Sequence, residues 1–496
     1  MSAIINNSFR KFQADNFIDS FTEADANGAL KSNIYLAIGK NDAWSGLTED
    51  NISEFRVTSS LTDAASDTNI PLPVDTVQAP SLHWEDIAAI KKINEVSHVI
   101  ARYDWTSGTV YREYSHDRDD IIDNVNPGAA SSATETPFYV FTEDFRVYKC
   151  ICNNNGAASM EKPTGASTGL TKTVSDGYIW KFMYEVEQAD VLKYLTKDWI
   201  PANSPAKAHQ VEQLAVEGAA VDGTIDYIKI VDGGSGYRYT TGTPAANASV
   251  STLPLQNAAA GATTMVADNT DDFYNDLSVY ITSGPGAGQY RTITDYDGPN
   301  RTATVSPDWD SNDVPTTSSV YMVAPKVSVD GMAGGQVPGG LGLTARVSKL
   351  SANGAVEEVA IVNKTPNANT FYRKATAVVD GGNGAGAILK PIINPRGGHG
   401  SDCVSELGGA FVMMNVRLRG EDGDGDFETG VNADFRKVHI LVNPKKSIED
   451  LGTATGPTYN IAELQKDTGT FLYTEFRPPI HRSPDSTEDI KLVVEF

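Results

Sequence analysis

Two stretches of the chain, IDYIKIVDGGSGY at 225–237 and KATAVVDGGNGAG at 374–386, carry an alternating apolar run into the motif V-D-G-G-x-G. Alternation is the period of a half-buried strand, and clustered glycines give the backbone the freedom that a sharp turn needs. The pattern predicts a strand followed by a glycine turn, used twice. It belongs to a wider texture: from about residue 206 to about residue 398 aromatic residues thin out and Ala, Gly, Thr and Val dominate. Between the two motifs, LSVYIT, QYRTITDY, RTATVS and SVYMV are strand candidates joined by GPGAG, DGPN and a Pro-Asp turn.

The flanking segments differ. NIYLAIG, HVIARYDW, TPFYVFTEDFRVYKCICN and DGYIWKFMYEV on one side, and AFVMMNVRL, FRKVHILVNP, FLYTEFRPPI and DIKLVVEF on the other, are aromatic and β-branched strand candidates. Helical spacing appears in SFRKFQADNFIDSF, through Phe9, Phe12, Phe17 and Phe21, and in WEDIAAIKKINEV, through Trp84, Ile87, Ile90 and Ile93. EQADVLKYL reads as a further short helix, with Pro201 and Pro205 marking a boundary after it.

The expected fold class is mainly β with a few short helices: a multi-domain chain of antiparallel sandwiches or barrels with a discontinuous core and nested β insertions. Residues 1–205 and 399–496 are read as two parts of one core. Residues 206–253 and 323–398 form a glycine-rich β module, and 254–322 a small β domain nested in it. At roughly 150 residues per domain, 496 residues leave room for about three.

Lys plus Arg is 40 against 64 for Asp plus Glu, a net charge of -24, which argues against nucleic acid and against an anionic membrane as partners. No run of eighteen apolar residues occurs, and MSAIINNSFRKF has no apolar h-region. The expectation is a chain that neither follows a signal peptide nor spans a membrane. Cys150, Cys152 and Cys403 cannot pair completely; in VYKCICN the period of two places Cys150 and Cys152 on one strand face, as buried reduced thiols. Assembly in a reducing cytosol follows.

Several motifs invite chemistry. In EDGDGDFETG, 421–430, Asp422, Asp424 and Asp426 fall on positions one, three and five of a calcium loop. Phe427 and Ala433 occupy the sixth and twelfth positions, where glycine and a bidentate glutamate belong, so the stretch reads as an acidic turn and these three aspartates are weak metal candidates. GGNGAGA at 381–387 follows a strand and fits a dinucleotide fingerprint, yet Pro391 and Pro395 forbid the helix that would hold the pyrophosphate. His399 and Asp402 in GGHGSD, and His116, Asp117, Asp119, Asp120 and Asp123 in SHDRDDIID, have no recognisable ligand or acid–base spacing, and Arg118 interrupts the second group. No phosphate loop, zincin or hydrolase-elbow motif is present. Neither a catalytic constellation nor a cofactor is expected.

Five blocks do carry a resemblance: NIYLAIGKNDAWS, VIARYDW, DGYIWKFMYEV, FRKVHILVNP and FRPPIHRSPDSTEDIKLVVEF. Spread in order over both outer segments, they resemble the baseplate wedge subunit of T-even type contractile-tailed phages, the gene-product-eight family. The resemblance implies a largely β structural protein of the virion tail, without catalysis, assembled in the host cytoplasm as a homodimer and packed against other baseplate wedge subunits. It does not extend to residues 206–398. Trp44, Trp105, Tyr178, Trp180 and Phe476 then suit either domain cores or interfaces. An alternative is a receptor- or glycan-binding tail protein with a calcium-stabilised loop at Asp422, Asp424 and Asp426. A tail hydrolase working through Asp117 or Asp402 is a third.

Overall fold

A computed structural model describes residues 6–24, 32–44, 55–56, 70–73, 76–117, 137–256, 266–333, 343–363, 372–418, 434–445, 464–482 and 488–496. The fold is mainly β, and among the described residues five antiparallel sheets have four or six strands each.

Two four-stranded sheets form a sandwich. In one, Thr470–Ile480, Phe435–Val442, Ile34–Gly39 and Ile87–Lys92 lie side by side; in the other, Trp199–Ala202, Glu95–Ala101, Phe411–Leu418 and Glu488–Glu495. Alternate residues supply the filling: Ile34, Leu36 and Ile38 face Met414, Val416 and Leu418 across a cluster shared with Val438 and Ile440. Strands from opposite ends of the sequence are direct neighbours, with Leu36 opposite Ile440 and Met413 opposite Ser97.

Helix Asn7–Asp19, capped by Asn6 accepting from the Phe9 amide at 2.9 Å, lies against this sandwich. Phe17 and Phe21 join its core, whereas Phe9 and Phe12 remain 51% and 58% exposed, so the four phenylalanines do not share one buried face. The expected helix through Trp84, Ile87, Ile90 and Ile93 is corrected. Helix Ala79–Glu85 stops short, and Ile87–Lys92 is a strand paired with Ile34–Gly39. A short amphipathic helix is marginal on its own, and a waiting strand edge offers branched isoleucines a full ladder.

A third sheet, Tyr139–Phe141, Arg146–Cys152, Ile179–Glu185 and Leu170–Lys172, is buried on both faces. Tyr148, Tyr178, Trp180 and Phe182 fill one side with Val216 of helix Val211–Ala219; Val147, Met183 and Tyr184 fill the other. Cys150 and Cys152 are buried and free, but a register shift between them breaks the period of two. Cys150 joins the Trp180 cluster and Cys152 joins Ile151 and Ile179.

Beyond Thr224 the chain enters a six-stranded sheet: Ile225–Ser235, Ala385–Ile393, Tyr372–Asp380, Lys326–Ala333, Thr344–Leu350 and Val356–Asn363. It curls into a nearly closed barrel around Ile228, Val327, Val347, Tyr372 and Leu389. A second six-stranded sheet, a half-barrel, takes Thr240–Gly242, Val320–Ala324, Ser278–Ser283, Tyr290–Asp297, Thr302–Ser306 and Thr252–Pro254. The V-D-G-G-x-G copies differ in use. The second forms the turn between two paired strands, while the first stays within a strand up to Ser235. They converge on Tyr237: a Cβ on Gly384 would stand 2.4 Å from its ring, and Gly382 accepts from the Arg238 amide at 2.8 Å. The strand Ala385–Ile393 that follows GGNGAG occupies the place of the helix a dinucleotide site requires.

Candidate functional site

Polar groups that the sequence scatters widely meet where the barrel joins the outer body. Lys149 sits mid-strand in VYKCICN, fully buried, and its ammonium donates to Glu406 Oε2. Glu406 belongs to the short helix Cys403–Leu407; its other oxygen accepts from the amides of Gly400 and Asp402, at 2.7 and 3.4 Å. Burial alone would raise its pKa, but Lys149 and His399 hold it down to about 2. Burial pulls Lys149 downward while Glu406 opposes, and the Tyr114 ring faces the ammonium with its centroid at 4.9 Å.

His399 completes the cluster without using its nitrogens. Nδ1 is 3.8 Å from Glu406 Oε2, beyond hydrogen-bond reach, neither ring nitrogen has a hydrogen-bond partner, and Tyr114 packs edge-on at 4.8 Å. Burial, and then the Lys149 charge, push its pKa down to about 4, so it is neutral at pH 7. Asp402 is directed elsewhere. It caps the same helix, accepting from the Ser405 amide at 3.0 Å and hydroxyl at 2.5 Å; burial opposes its ionisation, but these bonds hold its pKa below the ordinary value. His399 and Asp402, three residues apart, therefore form no acid–base pair.

The segment 113–117 straps the outer body to the barrel. Lys229 reaches Glu113 at 2.5 Å, the Tyr114 hydroxyl donates to the Ile393 carbonyl at 3.2 Å, and the Ile393 amide donates to His116 Nδ1 at 3.3 Å. Asp117 accepts from Ser115 and, at 3.0 Å, from Lys390; the Ser115 bond foremost, then Lys390, lower its pKa to about 2. Asn394 adds bonds to Thr224 and Asp226 at 2.8 and 2.7 Å. Asp117 and His116 thus serve a joint, while Asp119, Asp120 and Asp123 lie outside the described residues.

Two hollows flank this joint. A cavity of about 290 Å³ is lined by Lys181, Thr224, Asp226 and His399, and an open cleft of about 740 Å³ runs between the turn at Asn154–Asn155, the strand Leu170–Lys172 and the barrel. Burial pushes the Cys150 and Cys403 thiols well above their ordinary pKa, which suppresses the nucleophilic thiolate. Asp422, Asp424 and Asp426 lie outside the described residues, among which no group of three or more His, Cys, Asp or Glu is placed to hold a metal ion. No helix among them is long and apolar enough to cross a membrane.

Trp44, Tyr178, Trp180 and Phe476 are buried in domain cores and Trp105 packs half-buried against the cluster that holds Trp180, so the exposed aromatics are others, Phe9 and Phe12 among them. The sequence reading missed Lys149 and Glu406. The available signal was a lysine inside an otherwise apolar strand, which demands a buried counter-charge. No family model matches the chain, and no curated protein matches it.

Proposed function

We propose that the protein is a structural subunit of a phage tail baseplate wedge, working by protein–protein association rather than by catalysis. The observation that carries this reading is where the five resembling blocks lie. NIYLAIGKNDAWS, FRKVHILVNP and the start of the terminal block supply three adjacent strands of one sandwich sheet; VIARYDW and the end of the terminal block feed the other, and DGYIWKFMYEV forms one of the two inner strands of the third sheet. Blocks far apart in sequence thus make one body, as a common ancestral domain with a later insertion requires.

In this reading the protein assembles in the host cytoplasm, pairs as a homodimer, docks other wedge subunits through the outer body and projects the barrel module. Neither nucleic acid nor membrane is among its partners. The 113–117 strap fixes the insertion to the body at several points, and the buried Lys149–Glu406 pair ties the two halves of the body to each other, as suits a part that transmits force. Electron microscopy of purified virions labelled with subunit-specific antibody tests the proposal: label at the baseplate is expected, and label on the head or tail tube with none at the baseplate contradicts it.

A further inference from the structure

Among the described residues the barrel does not close: its terminal strands, Ile225–Ser235 and Val356–Asn363, are each paired on one side only. At one end they are zipped: the Gly236 amide donates to Asn353 O at 3.0 Å, the Tyr237 amide to Gly354 O at 3.1 Å, and a Cβ on Gly233 would stand 2.5 Å from the Val356 carbonyl oxygen. Past that contact no ladder joins residues 225–232 to residues 357–363 among the described residues. The 740 Å³ cleft opens there, walled by Ile230 and Val231 from one edge and Val356 to Val359 from the other, with Leu170 and Ile179 of the outer body alongside.

Two antiparallel strand edges face one gap; the Ile230 carbonyl of one already accepts from Asn155 at 3.4 Å, and the other backbone groups along these edges are the donors and acceptors that strand addition uses. The cleft also has a charge. Asp176, Asp226, Glu357 and Glu358 line it with Lys172 as the one lysine of the lining, 3.8 Å from Glu358, while Lys349 from outside the lining pairs with Glu357 at 2.9 Å, so the cleft keeps an excess of carboxylates. Along an extended peptide successive side chains point opposite ways, so aliphatic residues can meet Leu170, Ile179 and Ile230 while alternate Lys or Arg residues meet Glu357 and Glu358.

We infer that this seam is a strand-acceptor site, occupied by an extended, basic segment of a partner protein that completes the barrel.

The test uses the full chain and a fluorescein-labelled peptide of alternating Val and Lys, about nine residues long, which spans roughly 30 Å when extended. The expected result is saturable binding by anisotropy, with hydrogen-exchange protection gained at 226–232 and 357–362. Binding weakens roughly tenfold or more in the double variant Glu357→Lys, Glu358→Lys, and is lost when every second peptide residue is proline. Both glutamates are exposed, and since Lys349 and Lys172 face them, an unchanged thermal unfolding midpoint is required of the variant, with Glu357→Gln, Glu358→Gln as the milder second variant. No binding up to millimolar peptide, indifference to the prolines, or protection confined to other regions overturns the proposal. So does protection of the seam in the free chain that disappears on dilution, because a second copy then fills the gap.

Discussion

In the third sheet of the outer body, Tyr178 stacks on Trp180 with ring centroids 5.4 Å apart, Tyr111 meets the same indole edge-on, and Lys149 and Glu406 neutralise each other nearby. In the barrel, Gly233, Gly354 and Gly384 let backbone and the Tyr237 ring approach to distances that no side chain permits. Tight glycines occur in both regions, Gly39, Gly400 and Gly409 in the outer body among them, but the outer body adds stacked large rings and a sealed ion pair. The difference teaches where each tolerates change. Both regions are vulnerable to added atoms at their tight glycines, and the outer body is in addition vulnerable to an unpaired buried charge.

The largest effect is expected in the outer body. Lys149→Met leaves Glu406 buried without its counter-ion and costs about 3–5 kcal/mol, measured by denaturant unfolding; Lys149→Met with Glu406→Leu recovers most of it. A single variant as stable as the parent would remove the ion pair from the account.

Next comes acid. His399 titrates at about 4 when folded, below the ordinary 6.5 of an unfolded histidine, so between those values the unfolded chain binds the extra proton. Stability present at pH 7 is therefore lost as pH falls from 6.5 toward 4, by about 2–4 kcal/mol. Glu406, at about 2 folded against 4.5, extends the loss below pH 4.5. Unfolding midpoints of the parent and of His399→Gln, measured from pH 7 to pH 4, should diverge at neutral pH and converge in acid. Parallel curves would contradict the burial of a neutral imidazole.

Glycine substitutions separate tight sites from open ones at smaller scale. Gly384→Ala drives a methyl into Tyr237 and costs about 1–3 kcal/mol. Gly218→Ala, in the helix Val211–Ala219 with open space around it, gains about 0.5–1 kcal/mol. Equal effects at the two sites, read by thermal unfolding, would erase the contrast. The smallest change is expected at the exposed Phe12, where serine alters stability by less than about 0.5 kcal/mol and, under the proposed function, lowers incorporation into assembled baseplates.

Much of the fold is legible in the sequence because a strand buried on one or both faces writes its period directly. NIYLAIG, FRKVHILV and DGYIWKFMYEV each form the strand that their branched and aromatic residues predict. IAAIKK misleads, since its spacing suits a helix and only the neighbouring edge at Ile34–Gly39 makes it a strand. The C-x-C pair misleads for a related reason: a bulge is a property of pairing, invisible in one strand alone. The joint is the least legible part. Lys149, Asp226 and the pair His399 and Glu406 come from three separate stretches, and no local pattern announces that His399 turns inward while Asp402, three residues on, caps a helix.

A reconstruction of the virion tail by electron cryomicroscopy tests the central claim most directly. Under the proposed function, baseplate density fits this chain, with the surface of the outer body covered by neighbouring subunits and the barrel module projecting from it. A baseplate complete without the chain, or the chain found only in the head or tail tube, would contradict it.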